Sequence, residues 1–477
     1  MYQYQQSKNT GLGTTQKGTL PVMLGFLCYA FLSQYIWLSI FSGIIFLIII
    51  NLLYKPYIPP VLIYLFGVHW LQVFATVLHA DYNGRTLEDV FSSITGHDVD
   101  TLLIVTMLQI GVMVFFLSRV LKIKYQPNLE MFQRAANQLN VKKLLYLFAI
   151  ATIIFPTLLA VTRSNSSLNQ LVQAFAVIRK VLLLMMIFIV LLRKTNYNNL
   201  IITLLVLEFL LSFVSYFSNF KEVILLILFA YLTVKPYIQS KQLFRLVPLG
   251  LLSVTFLIFW SGVKEGYRSY LNQGSRMQEV SVSTSDALNY LGDKVADFSI
   301  DSFKHGTDKL IYRMQYMQQY ITVHERVPTL IPHKNGENLV STIRFLLMPR
   351  FLDPGKSILD PSSKTSYYTG KTFANAQQGT SISMGYFCDL YIDFGLWWMF
   401  IPLLIITYLI GKVSNYIINS DKYNIIFTYS LFIGTILSLG TFESDIIFYI
   451  GSVRNYAVFM LLGNFFLFPF LNKYIKA

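Results

Sequence analysis

Between Leu20 and Phe470 the chain returns about twelve times to an apolar run long enough to cross a bilayer, whose ~30 Å hydrocarbon core takes about 20 residues of helix. No other feature narrows the fold as far. Inside hydrocarbon every backbone N–H and C=O must be paired within the protein, which leaves only helices or a closed barrel. Barrel strands read as ~10-residue segments of alternating polarity, and no such alternation is present. The sequence therefore predicts an all-α polytopic membrane protein of about 12 transmembrane helices. They lie over approximately 20–36, 38–54, 59–79, 102–121, 144–161, 171–192, 198–217, 222–234, 246–261, 384–410, 424–440 and 446–471. With 54% hydrophobic and only 13% charged residues, the composition lies outside the range of soluble domains.

Five segments follow from these runs. Residues 1–19 read as a disordered cytoplasmic tail, 20–261 as helices one to nine, 262–383 as a large loop, 384–471 as helices ten to twelve, and 472–477 as a short cytoplasmic tail. The first run is expected to be retained, because it lacks a small-residue cleavage site. Lys and Arg set the orientation. Placing the N-terminus in the cytoplasm puts inside Lys55, the cluster from Lys122 to Lys143, Arg193, Lys194, Lys235, Lys422, Lys473 and Lys476. The opposite loops hold mainly Arg85, Arg163 and Lys221, and the 81–100 loop is acidic. That is the positive-inside pattern, with both termini cytoplasmic and the large loop outside. The same distribution accounts for the net charge of +14 and argues against nucleic acid as a partner. Cys28 and Cys388 give no disulfide framework.

Within the large loop, "SDALNYLGDKVADF" and "TDKLIYRMQYMQQYI" space apolar residues as helices do, with Leu310, Met314 and Met317 on one face and Ser285 and Thr307 as caps. They read equally as amphipathic helices on the lipid bilayer or as a lid on the bundle.

Glycine-rich phosphate loops, Cys/His metal spacings and nucleophile elbows are all missing from the sequence, so no metal or cofactor is expected and any chemistry falls to charges at the membrane. A cation in mid-helix costs ~2.5–3.5 kcal/mol to insert and calls for a partner, an aqueous cavity or an anion. Arg179 and Lys180 lie near the middle of the sixth run, and Arg454 about a third of the way into the twelfth. Arg454 pairs internally with Glu443 or Asp445, or binds ligand; Arg179 has no acidic partner near it in sequence. Outside, Arg344, Arg350, Lys356, Lys364 and Lys371 precede the tenth run, and Lys221 and Arg268 mark the outer ends of the eighth and ninth. These cations suit either a lipid diphosphate or anchoring to headgroups. Among the acidic residues, Asp389, Asp393, Glu443 and Asp445 stand at the membrane boundary, where burial raises a carboxyl pKa towards general-base use.

The run "MPRFLDPGKSILD", followed by "GTSISMGYFCDLYIDFGLWW", resembles the late outer-loop segment of the Wzy-type O-antigen and oligosaccharide repeat-unit polymerases. Asp389, Tyr391, Asp393, Phe394 and Gly395 keep that family's acidic–Tyr–polar–Phe–Gly order, Arg344 precedes Gly355 by its arginine–glycine spacing, and Lys221 stands where the family usually has Arg. The motif covers roughly 344–395, and the many-helix layout with one large late loop covers the whole chain. The resemblance implies a GT-C-like, metal-independent glycosyltransferase of the bacterial inner membrane. It would transfer a growing glycan from undecaprenyl diphosphate to the sugar of another lipid-linked repeat unit on the periplasmic face, with a chain-length regulator protein as a further partner. On this reading Arg179, Lys221, Arg268, Arg344, Arg350, Lys356 and Arg454 bind the diphosphate. Asp389, Glu443 or Asp445 is the catalytic carboxylate, and Tyr391 and Asp393 hold glycan. An O-antigen ligase of the same fold and a lipid-linked oligosaccharide flippase are the competing readings.

Overall fold

The computed structural model describes residues 14–92, 98–162, 166–214, 220–237, 240–275, 280–348, 353, 360–373 and 381–476. Over these residues the chain is helical, without a strand beyond one isolated bridge between Leu139 and Lys476. The first part runs α1 (Thr14–Leu32), α2 (Ile36–Leu53), α3 (Val61–Asn83), α4 (Leu87–Phe91), α5 (Val99–Val120), α6 (Leu129–Asn137) and α7 (Val141–Val161). Next come α8 (Ser166–Leu192), α9 (Asn198–Val214), α10 (Phe220–Val234) and α11 (Ser240–Leu271). The large loop folds into α12 (Thr284–Ala296), α13 (Ile300–Met314), α14 (Gln318–Arg326), α15 (Glu337–Leu347) and α16 (Pro361–Thr369). The chain closes with α17 (Tyr386–Trp398), α18 (Phe400–Ile418), α19 (Ile425–Leu437), α20 (Ile446–Leu462), a π-turn at Gly463–Leu467 and α21 (Phe468–Tyr474).

The apolar runs fold as helices over their described residues, and the expectation of twelve spans is borne out in part. Seven helices are long and apolar enough to cross a membrane: Ile36–Leu53, Val61–Asn83, Val99–Val120, Val141–Val161, Leu168–Leu192, Phe400–Ile418 and Ile446–Tyr474. The chain is thus a multi-pass helical membrane protein. Val22–Leu32, Asn198–Val214 and Ile425–Leu437 are apolar but shorter. At 1.5 Å per residue, the 13 residues of α19 reach only ~20 Å. The tenth expected span is two helices, because Gly395 sits at φ 66°, ψ 178° and turns the chain between α17 and α18. A glycine takes that conformation without the clash that any Cβ would bring.

In hydrocarbon, helices gain by close van der Waals contact rather than by hiding from water, so small residues mark the seams. A Cβ on Gly111 of α5 would stand 2.9 Å from Ile45 of α2, and one on Gly411 of α18 would stand 2.6 Å from Val120. α3 lies at the centre, against α2, α5, α13 and α19.

The connections collect at two ends. At one, Asn415 and Asn419 accept from the backbone N–H groups of Lys122 and Lys124 (2.9 and 2.8 Å), Asn424 donates to Ala135 and Arg193 to Leu139. At the other, Gln34 donates to Asp81, Ser92 to Glu325, and the large-loop helices sit against α3, α4 and α20. These are the two sets of loops that the Lys and Arg asymmetry separates. Within the large loop, the expected caps shift. Ser283, not Ser285, caps α12 by accepting from Asp286 N–H, and α13 starts at Ser299, leaving Thr307 inside the helix with its hydroxyl on Phe303 O. Residues 315–317 break the expected second helix, so Met317 belongs to a separate turn.

Candidate functional site

The charged side chains at the large-loop end form two groups, and the first is built around Lys364. "DPSS" starts α16: Asp360 accepts from Ser362 N–H at 3.1 Å and from Ser363 Oγ at 2.5 Å, and Pro361 takes the first helical position, where its missing N–H costs nothing. This fixes Lys364 in the first turn, with Nζ 2.6 Å from Asp389 Oδ1 and 3.8 Å from Asp445 Oδ2. The remaining carboxylate oxygens cap α20: Asp389 Oδ2 accepts from Ile446 N–H (2.8 Å) and Asp445 Oδ1 from Ile447 N–H (3.1 Å). Two buried carboxyl groups are therefore held at the positive end of a helix dipole beside one ammonium.

The protonation states follow from this balance. Burial alone would pull Lys364 down, but the charges of Asp389 and Asp445 outweigh it and hold the ammonium above its ordinary range. For Asp445, burial and then the Asp389 charge push the carboxyl up, against the opposing effect of Lys364 and Ile447 N–H. Asp445 also lines a cavity of about 290 Å³ with Lys364, Asp360 and one face of α15, namely Asn338, Ser341, Thr342 and Phe345. The spacing i, i+3, i+4, i+7 puts those four on a single helical stripe. Among the described residues the buried Nδ2 of Asn338 has no partner, which leaves a hydrogen-bond donor at this wall.

The loop that carries Asp445 is rigidly seated. Thr441 N–H donates to Ser444 Oγ (3.1 Å) and Ser444 N–H to Thr441 O (3.0 Å), while Phe442 packs on Phe387 and His69 with 1% of its surface exposed. Its carbonyl lies where a Cβ of Gly385 would be, at 2.6 Å, and Gly385 has φ +87°. Only glycine fits there.

The second group is cationic. Gly306 lets α13 lie directly on α11, since a Cβ there would overlap the Ile258 carbonyl, and Arg313 comes to the side of α11 that bears Lys264 and Arg268. Lys221, at the start of α10, completes the group. Burial, then Arg313, Arg268 and Lys221, push Lys264 down to about 7, and Glu443 acts the other way. Among the described residues Lys221, Lys264 and Arg313 form no direct ion pair. Glu443 is exposed on the cluster's flank, accepting from Gln72 Nε2 at 3.4 Å. Tyr316 joins the two groups. Its hydroxyl donates to Ser383 O at 2.6 Å, and burial, then Glu443, with smaller contributions from Asp445 and Asp389, raise its phenol.

The expected site residues thus scatter into distinct roles. Asp389 and Asp445 meet at Lys364, which the sequence marks only as one interfacial cation among several; Glu443, Lys221 and Arg268 gather at the cationic group. Lys264 and Arg313 have no place in the expected set, although Lys264 stands one helical turn before Arg268, a spacing that puts both on one face. Arg344 lies exposed on α15. Arg179 has a partner after all, Glu208 on α9, with Nε on Thr152 Oγ1 (3.1 Å) and the guanidinium over the Phe148 ring, and Lys180 pairs with Glu222 at 2.6 Å. Arg454 meets neither Glu443 nor Asp445. It donates to Leu346 O (2.6 Å) and to Gln170 (2.7 Å), tying α20 to α15 and α8. Tyr391 and Asp393 point inward: the Tyr391 hydroxyl donates to Val327 O (2.6 Å), and Asp393 caps α15 by accepting from Leu339 N–H (2.7 Å) and Asn338 N–H (3.3 Å). Arg350 and Lys356 lie outside the described residues.

A family model described as a domain of unknown function, DUF8712, matches residues 73–443. That is well over half of the chain, and the chain belongs to this family. No curated protein and no solved structure matches it.

Proposed function

We propose that the protein is a glycosyltransferase of the bacterial inner membrane that polymerises undecaprenyl-diphosphate-linked oligosaccharide repeat units on the periplasmic face, with both termini cytoplasmic. One observation carries the reading: a single short loop presents Asp445, a carboxyl raised by burial, to a cavity and Glu443 to a cluster of mutually crowded cations. Glycosyl transfer from a diphosphate needs both. The acceptor hydroxyl oxygen attacks the anomeric carbon of the growing glycan, and its proton passes to the Asp445 carboxylate. The bond from that carbon to the diphosphate oxygen breaks, the electron pair leaves on the diphosphate, and Lys221, Lys264, Arg268 and Arg313 stabilise the charge that develops. Asp389 and Lys364 position the base. The likeness of "MPRFLDPGKSILD" to the Wzy-type polymerases supports polymerase over ligase, and a chain-length regulator is the partner it implies. A flippase would need Arg179 for substrate in the bundle, where Glu208 already holds it.

The test is a gel of surface and lipid-linked glycans from cells lacking the protein, complemented with wild type or with Asp445→Asn at equal protein level. Wild type restores a ladder, and the variant leaves a single repeat on the surface acceptor. A ladder from the variant overturns the assignment of the base. An unchanged ladder in the deletion, or long chains accumulating on undecaprenyl diphosphate, overturns the polymerase.

A further inference from the structure

At the end of the bundle opposite this site, a cavity of about 410 Å³ opens between the ends of α5, α18 and α20. Its rim carries Lys122, Lys124 and Lys422 against the one carboxylate of Asp421, all four exposed. The chain holds Lys122 and Lys124 by their backbones. Asn415 Oδ1 accepts from Lys122 N–H and Asn419 Oδ1 from Lys124 N–H, while Asn419 Nδ2 donates to Lys122 O at 2.7 Å. Among the described residues none of the three ammonium groups forms an ion pair.

The wall behind the rim changes character with depth. Tyr423 donates to Asn464 Oδ1 (2.8 Å) and Asn464 Nδ2 to Tyr416 OH (2.9 Å), a polar network placed by the π-turn, which begins one residue before Asn464. Such turns inside helices recur at functional sites. Deeper, Ile417, Leu431 and Met460 are apolar, and the hydroxyl of Thr428, 2% exposed, has no hydrogen-bond partner among the described residues. An unsatisfied buried hydroxyl costs stability unless something meets it. Beside the network Phe465 and Phe466 are about three-quarters exposed, on a surface that a membrane protein turns to lipid.

We propose that this cavity binds the headgroup of an anionic phospholipid from the leaflet at that end, its phosphate among Lys122, Lys124 and Lys422 and its glycerol oxygens reaching Thr428. Basic pockets between helices are where such headgroups bind. The apolar floor and the phenylalanines that follow Asn464 favour a ligand with acyl chains over a free anion.

The experiment uses the full-length protein in detergent, titrated with phosphatidylglycerol, phosphatidylcholine or inorganic phosphate, read by native mass spectrometry and thermal unfolding. Phosphatidylglycerol is retained and raises the unfolding temperature, and phosphatidylcholine does neither. The Lys122→Gln/Lys124→Gln/Lys422→Gln variant binds about 100-fold more weakly. Lys422→Gln alone, in an exposed loop, weakens binding several-fold and serves if the triple variant fails to fold. Equal retention of phosphatidylcholine, protection by inorganic phosphate equal to that by the lipid, or unchanged lipid binding in Lys422→Gln each overturns the proposal.

Discussion

Lys364 and Lys264 stand at the same end of one bundle and meet opposite fates. Lys364 is enclosed by two carboxylates that are themselves tied to the start of α20, so its charge is balanced and its position fixed. Lys264 faces Arg313, Arg268 and Lys221, which push it down against the pull of Glu443, so its charge is crowded rather than enclosed. A balanced buried charge serves as framework. Surplus cations at the edge of a low-dielectric wall cost free energy until an anion arrives, which is the behaviour of a ligand site.

The largest effect is expected where the framework touches chemistry. On the proposed function, Asp445→Asn keeps the cap on Ile447 N–H through the amide oxygen but removes the proposed proton acceptor, so transfer is expected to fall by ~10²–10⁴-fold while thermal unfolding changes little. An in vitro elongation assay on lipid-linked repeat units, run beside an unfolding curve, checks both halves. Lys364→Met leaves two carboxylates buried without their counter-charge and is expected to lose ~3–5 kcal/mol of stability. The unfolding temperature drops, and a second change, Asp389→Leu, recovers part of the loss. If Lys364→Met unfolds like wild type, the contrast with Lys264 fails.

Smaller effects sharpen the contrast from the other side. Lys264→Met and Arg313→Met each lower elongation by about tenfold, the scale of one screened charge contact, and leave the unfolding temperature unchanged or slightly higher because crowding is relieved. A fall in stability comparable to that of Lys364→Met would show the cationic group to be framework as well. Gly385→Ala forces a Cβ against the Phe442 carbonyl at a positive φ and is expected to cost ~1–3 kcal/mol, shifting the loop that holds Glu443 and Asp445. Its signature is reduced elongation together with reduced stability.

The pH profile gives the smallest but most specific signal. Because the folded-state pKa of Asp445 is raised, lowering the pH protonates this proposed base at a pH above the ordinary carboxylate range, and elongation is expected to fall on that acidic limb. The same shift means the folded protein holds this proton more tightly than the unfolded chain. Its contribution to stability is therefore present at low pH and lost as pH rises through the folded pKa. A limb that persists in a minimally active Asp445→Asn enzyme would assign it to another group.

Much of the architecture is legible in the sequence, because ~20-residue apolar runs and the placement of Lys and Arg are local signals. Each run is mainly helix over its described residues, and the two sets of loops gather at opposite ends. What the runs do not reveal is where a backbone turns inside apolar sequence: Gly395 in "DFGLWW" reads as one more small residue until its φ is known. Pairings are the other blind spot. Glu208 is 29 residues from Arg179 and Lys364 is 25 from Asp389, joined only by the packing of separate helices. Asp389 and Asp445 stand out by residue type alone, and their shared cation does not. Tyr391 and Asp393 show the converse, since a motif match says nothing about which way a side chain turns.

Glu443 and Asp445 are separated by one residue on a turn anchored by Phe442. On the proposed reading, the two residues that face the leaving-group cations and the attacking hydroxyl are a two-residue step of backbone apart, at most about 7 Å between their Cα atoms. Such a fixed gauge senses the bond being made and is blind to the length of glycan trailing behind it. Product length would then be decided by how long the polymer stays docked, a matter of dissociation rates and of other proteins rather than of this centre.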